Sequence, residues 1–187
     1  MQDIKIIQVN VFQRLTREIR VWGTVIWVEC YGPDEYVIES GISHLIEFFE
    51  KVDLLFSPFI SRSEVAKLRR NEIRIEDCDL LVQEVWNKCA QIRDLTNGAF
   101  DPWAVEGGFD PSGFVKGWAA EKAADMLVAA GCELVQVNAA GDLSLRGGPW
   151  KIGVVNPDNR SEIVQVFELT NENIATSGHY EKGAHIK

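Results

Sequence analysis

No cysteine pair at metal-ligand spacing, no long apolar run and no cluster of basic residues occurs in this sequence. Each absence removes a class of function. Cys30, Cys78, Cys89 and Cys132 are scattered, with no Cys-x-x-Cys pair. Lone thiols of this kind read as buried apolar residues of a reducing compartment. Nothing approaches the roughly 18 apolar residues that a membrane span needs. Met1 to Val11 alternates apolar and polar residues without the charged head and apolar stretch of a secretory signal, so the chain reads as cytoplasmic. Lys and Arg number 19 against 28 Asp and Glu, a formal net charge of −9. Beyond Arg69-Arg70 no cations group together, which argues against a nucleic-acid partner, because a phosphate backbone demands clustered Lys and Arg. Histidine is rare, at three residues. His179 and His185 stand six apart, and no helix or strand brings i and i+6 cleanly together with a third ligand, so zinc is not expected.

What is present is enough apolar material for one core. At 187 residues and 46% hydrophobic, the chain suits a single domain over 1–187, and two would be cramped. Ile4 to Phe12 alternates like a strand, and Arg20 to Cys30 does so more strongly, until Gly32-Pro33 stops it. From Ile42 the apolar residues Leu45, Ile46, Phe49 and Val52 follow a helical period. Ser63 with Glu64 predicts a short helix ending near Arg70. Leu81, Val85, Cys89 and Ile92 predict another from about Asp79, closed by Asn97-Gly98. A loop rich in Gly, Pro and Asp covers Gly98 to Gly113. A helix over roughly Phe114 to Ala129 follows, stopped at Gly131. Four β-like runs come last: Leu134 to Asn138, Trp150 to Val155, Ile163 to Leu169 and Asn173 to Ser177. This order predicts an α+β domain, a mixed, largely antiparallel sheet with helices packed on it.

Three stretches are candidates for chemistry. Asp110-Pro111-Ser112-Gly113-Phe114-Val115-Lys116 is a turn that runs into a helix start, a place where free backbone N–H groups meet an anion. Lys116 on the first turn reaches a phosphate as a point charge. The same letters also make a plain Asp-Pro-Ser helix cap with an exposed Lys. It is not a Walker A loop, since Phe114 stands where Lys is required, and no G-x-G-x-x-G occurs. The second stretch, Asn138-Ala139-Ala140-Gly141-Asp142, suits the close approach of a ligand or simply a β-turn. The third runs from Ala175 to Ile186 and carries both His179 and His185.

Taken in order, these segments resemble the FAD:protein FMN transferases, the ApbE-type flavin transferases. Trp22-Gly23-Thr24 is similar to the family's Met-Gly-Thr. Val52 to Phe59, Ser63-Glu64, Asn97 to Pro102 and Asp110 to Ala119 follow, the last similar to Asp-x-Gly-Gly-x-x-Lys-Gly-x-Ala. Asn138 to Asp142, Trp150 to Gly153, Ala175 to Gly178 and His185-Ile186 complete the series. The resemblance implies a cleft that holds FAD, with a magnesium ion at its pyrophosphate. A Thr or Ser hydroxyl of an acceptor protein attacks the phosphorus of the FMN half, and AMP leaves. Carried over by position, Ala99, Phe100 and Asp101 line the flavin pocket, and Asp110 and Lys116 hold other parts of FAD. Trp22 and Phe59 stand where the family puts a Met and a Tyr. Lys187, after the His-Ile segment, is counted with the cofactor-binding residues. Gly113 matches a position whose carbonyl meets the metal, and His185 is the base that takes the hydroxyl proton.

The sequence also departs from the family pattern. The connection from Asp101 to Asp110 is short, which suggests a compact subtype, and Ala stands in Asn138 to Asp142 where Gly is common. The family continues past His-Ile through an Asp-Pro-x-Thr-Gly turn and an Asp/Thr pair that grips magnesium, whereas this sequence ends at Lys187. An ApbE-like domain lacking its C-terminal part is therefore expected. Three readings follow: a transferase, a protein that holds FAD or a partner without transfer, and a degenerate copy with a structural role.

Overall fold

The computed structural model describes residues 12–176. Its first element is a hairpin of β1 (Gln13–Val21) and β2 (Thr24–Gly32), closed by Trp22 and Gly23. Both turn residues have positive φ, 56° and 66°, as a tight two-residue hairpin requires. The single strand expected over Arg20 to Cys30 is thus corrected to the end of one strand, a turn and most of the next. Ile4 to Val11 lies outside the described residues.

β2 pairs with β3 (Leu134–Ala139), β3 with β4 (Asp142–Arg146), and β4 with β7 (Asn173–Ile174). The sheet order is β1-β2-β3-β4-β7, and each of these pairings is antiparallel. β5 (Trp150–Val155) and β6 (Ile163–Leu169) form a separate antiparallel hairpin. β4 falls outside the runs expected as strands, and the run expected over Asn173 to Ser177 contains the two-residue strand β7, with Ser177 outside the described residues.

Between β2 and β3 the chain makes all its helices among the described residues. α1 (Glu35–Phe56) starts earlier than Ile42 because the Asp34 carboxylate accepts the Val37 N–H at 2.9 Å and caps it. Its buried residues Ile38, Ile42, Leu45, Phe49, Val52 and Phe56 recur every three or four positions, so one face enters the core. Each such side chain contributes about 1.5–3 kcal/mol on burial. α2 (Glu64–Arg69) and α3 (Leu80–Leu95) begin at Ser63 and Asp79 as expected. α4 (Ser112–Ala129) crosses α1 closely: a Cβ added at Gly41 would lie 3.1 Å from Leu127 Cδ2 and 3.2 Å from Ala130 Cβ. That approach is possible because Gly41 has no side chain and α4 buries Ala119, Ala120, Ala123 and Ala124. Together α1 and α4 cover one face of the sheet, where Ile26, Val28, Cys30, Val135 and Val137 are buried. All four cysteines are buried free thiols. Among the described residues no helix is long and apolar enough to cross a membrane.

Candidate functional site

The packing of α1 on α4 leaves a cavity of about 500 Å³ between the C-terminal end of α1, the first turn of α4 and the β1–β2 turn. Trp22, Phe56 and Phe59 give it aromatic walls, and Asp53, Ser112 and Lys116 give it polar groups. Each wall is positioned by local chemistry. The Trp22 indole N–H donates to the Phe49 carbonyl at 3.2 Å, and its ring meets Phe49 edge-on at 5.2 Å. Phe59 belongs to the turn between α1 and α2, which Ser63 anchors. The buried Ser63 hydroxyl donates to the Ser57 carbonyl at 2.6 Å and accepts the Ala66 N–H at 3.0 Å. Phe59 itself is 94% exposed at the rim, a large ring with almost nothing packed on it.

Two opposite charges line this cavity. Among the described residues neither the Asp53 carboxylate nor the Lys116 ammonium makes a hydrogen bond or an ion pair, with each other or with anything else. Burial pushes the Asp53 carboxyl above its ordinary value, since partial removal from water disfavours the charged form. A cavity of this kind suits a planar ligand with an anionic group.

A second cavity, of about 580 Å³, lies on the other flank of the same helix start. Gly113, Gly117, Glu121, Asp142 and Asn173 line it. The division follows helix geometry, at about 100° per residue: Ser112, Val115 and Lys116 face the first cavity, while Gly113, Phe114 and Gly117 face the second. Phe100 approaches this side, its Cε2 lying 3.5 Å from where a Cβ on Gly113 would stand. The stretch Asn138 to Asp142 holds the two-residue turn of the β3–β4 hairpin, Ala140-Gly141, both with positive φ, and the Asn138 side chain accepts the Gly141 N–H at 2.9 Å. Asp142, just beyond that turn, reaches the second cavity.

The helix start itself corrects one expectation. Its N–H groups are mostly engaged within the chain rather than free for an anion. Ser112 N–H donates to Asp110 Oδ1 at 3.0 Å, and Phe114 and Val115 donate to the Pro111 carbonyl at 2.8 and 2.9 Å. The Asp110 carboxylate also accepts the Ser112 hydroxyl and faces Arg69 at 3.5 Å, as a cap would. Of the residues carried over by position, Trp22, Phe59 and Lys116 meet in the first cavity, and Gly113 lines the second with Phe100 beside it. Ala99 is exposed and Asp101 accepts the Trp103 N–H at 2.9 Å; neither lines either cavity. His179, His185 and Lys187 lie outside the described residues. Among the described residues no three His, Cys, Asp or Glu side chains group as a metal site. Asp53 was given no role by sequence reasoning. Its signal was its place on α1 between Val52 and Phe56, both of which turn inward.

The ApbE family's sequence model matches residues 104–186. No curated protein sequence matches the chain. Among solved structures, the flavin transferase ApbE of Vibrio cholerae superposes with a TM-score of 0.77 at 19% identity, covering 95% of this chain and 75% of that one. The chain carries the fold of these ApbE proteins, and residues 104–186 are similar to the ApbE family. The apo flavinyl transferase ApbE of Pseudomonas stutzeri gives a TM-score of 0.76 at 19% identity, with coverage of 91% and 70%. The ApbE protein of Thermotoga maritima gives 0.76 at 21%, with coverage of 90% and 72%. The expected α+β architecture, with its antiparallel sheet and packed helices, is the ApbE one. The ApbE-family match includes both the helix start at Ser112 and His185.

Proposed function

We propose that this chain is an FAD:protein FMN transferase. FAD is its substrate, FMN is moved to a Thr or Ser hydroxyl of an acceptor protein, and AMP is released. The observation that carries the reading is the convergence of Trp22, Phe59 and Lys116, far apart in sequence, on one cavity at the start of α4. The aromatic pair offers faces for a flat ring, and the unpartnered ammonium offers a charge for a phosphate. In the reaction, the acceptor oxygen forms a bond to the phosphorus of the FMN half and the bond to the AMP phosphate breaks. His185 takes the hydroxyl proton. The chain's contribution is positioning, charge neutralisation and proton acceptance, which is most of what phosphoryl-type transfer asks of a protein. By the family's pattern the Gly113 carbonyl would meet a magnesium ion and Phe100, Asp110 and Lys187 would contact FAD; Ala99 and Asp101, given to FAD by the same pattern, line neither cavity. No step here depends on the ion.

The test is direct. The chain is incubated with FAD, magnesium and an acceptor bearing a Thr site, and in-gel flavin fluorescence with a mass gain of FMN size is expected. His185→Ala should still bind FAD and leave the acceptor unlabelled; normal labelling by that variant removes His185 from the mechanism. A second reading, a protein that holds FAD or a partner without transfer, is favoured by one observation. The start of α4 is capped from within by Asp110 and Pro111 and needs no ligand to satisfy it. FAD binding without any labelling would select that reading.

A further inference from the structure

The cavity beside Lys116 contains one polar group that flavin transfer, as described so far, leaves unused. Asp53 projects from the last turns of α1 into a space walled by Trp22, Phe56 and Phe59. A carboxylate in that position is costly. It loses part of its hydration to the aromatic walls, and among the described residues it gains neither a hydrogen bond nor an ion pair in return. Lys116 lines the same cavity and does not neutralise it, and among the described residues no backbone N–H is bonded to it. Asp79 caps α3 and pairs with Lys51, Asp110 accepts the Ser112 N–H, and Glu84 holds Trp118 and Lys122, whereas Asp53 faces the cavity with no such partner among the described residues.

An unpartnered acceptor at one place and an unpartnered cation at another, across an aromatic space, describe the complement of the ligand. The ligand brings an anion for Lys116, a flat ring for Trp22 and Phe59, and a hydrogen-bond donor for Asp53. We propose that Asp53 is a specificity-determining residue of the cavity, the acceptor for an N–H donor on the edge of a planar heteroaromatic ring. This rests on the reading of the cavity as an FAD site. FAD carries two such edges, the imide N–H of the isoalloxazine and the amino group of the adenine, and the two share the chemistry that Asp53 recognises. A ring that presents only acceptors on that edge leaves the carboxylate buried against lone pairs and is rejected.

The test uses the full chain and calorimetric titration with FAD, FMN and AMP. Asp53→Ala is expected to weaken FAD by about 10- to 100-fold, the range for a charge-assisted hydrogen bond, while Asp53→Asn, whose amide oxygen still accepts, recovers most of the affinity. If the isoalloxazine edge is the donor, FMN weakens in parallel and AMP does not; if the adenine edge is, the reverse holds. Either pattern supports the role. A ligand cycle guards against a folding artefact. Flavin methylated at the imide nitrogen should bind wild type more weakly than FMN, and Asp53→Ala should not discriminate if the flavin edge is read. Equal FAD affinity in wild type and Asp53→Ala, with Lys116→Ala weakened, overturns the role of Asp53 and leaves the FAD site standing. Failure of the wild-type chain to bind FAD, FMN or AMP overturns both.

Discussion

At the residue scale, the cavity charges make opposite predictions for binding and for stability. Lys116 has no partner among the described residues, so Lys116→Ala removes nothing that holds the fold. It is expected to weaken FAD by about tenfold or more while leaving the melting temperature unchanged, checked by titration and by thermal melts of the same samples. Asp53 is different, because burial raises its carboxyl pKa in the folded chain. The folded state then holds the proton more tightly than the unfolded one. The associated stability is fully present below the unfolded carboxylate pKa and is lost as pH rises through the folded value. At neutral pH wild type carries that cost, so Asp53→Asn should be more stable there, and the difference should vanish in acid. Urea midpoints at pH 7 and near pH 3 measure it; a variant less stable at pH 7 would mean that the carboxylate has a favourable partner. A site residue whose removal stabilises the fold is a mark of function. Of these residues, Lys116 was legible in the sequence because a Lys one turn into a helix behind a Pro-Ser-Gly turn has a readable geometry. Asp53 was not, because a lone Asp on a long helix reads as solvent-facing until the cavity beside it is known.

At the element scale, the turn between α1 and α2 carries Phe59, and the Ser63 hydroxyl ties the start of that turn to α2. Ser63 is fully buried and bridges the Ser57 carbonyl to the first turn of α2. Ser63→Ala leaves the Ala66 N–H and the Ser57 carbonyl without that partner, and should cost about 1–2 kcal/mol by chemical denaturation. Because the same bond fixes the wall of the cavity, FAD affinity should fall too, though Ser63 does not line it. The cap was visible from Ser63-Glu64 alone, as were Asp79 and the stop at Asn97-Gly98, since caps are local chemistry. The hairpin at Trp22-Gly23 was missed for a physical reason. The buried positions change parity across it, from Ile19 to Ile26, Val28 and Cys30, while the alternation by eye runs on. β4 was missed because Asp142 to Arg146 offers only Leu143 and Leu145 as apolar residues, and its inward Ser144 is satisfied by Asn173, a partner far along the chain.

At the scale of the whole molecule, the order of segments was legible because each is a turn or helix start with its own residue signature, and the antiparallel sheet that gathers them is the ApbE one. Which segments face which cavity was not legible, because that depends on how α4 rotates against α1, a matter of Gly41 and four alanines packing rather than of any motif. The same rotation turns neighbouring residues of one motif toward different spaces: Lys116 and Asp53 look into one cavity, and Gly113 and Asp142 into the other. The first cavity contributes its aromatic walls and two charges without an ion, and no group of three potential metal ligands stands anywhere among the described residues. FAD affinity should therefore change by less than about threefold when magnesium is replaced by a chelator, because the grip proposed for this cavity comes from its aromatic walls and its two charges. Titration with FAD, run with and without chelator on one preparation, reads this, and a binding constant that collapses on chelation would place an ion in the same cavity as Lys116.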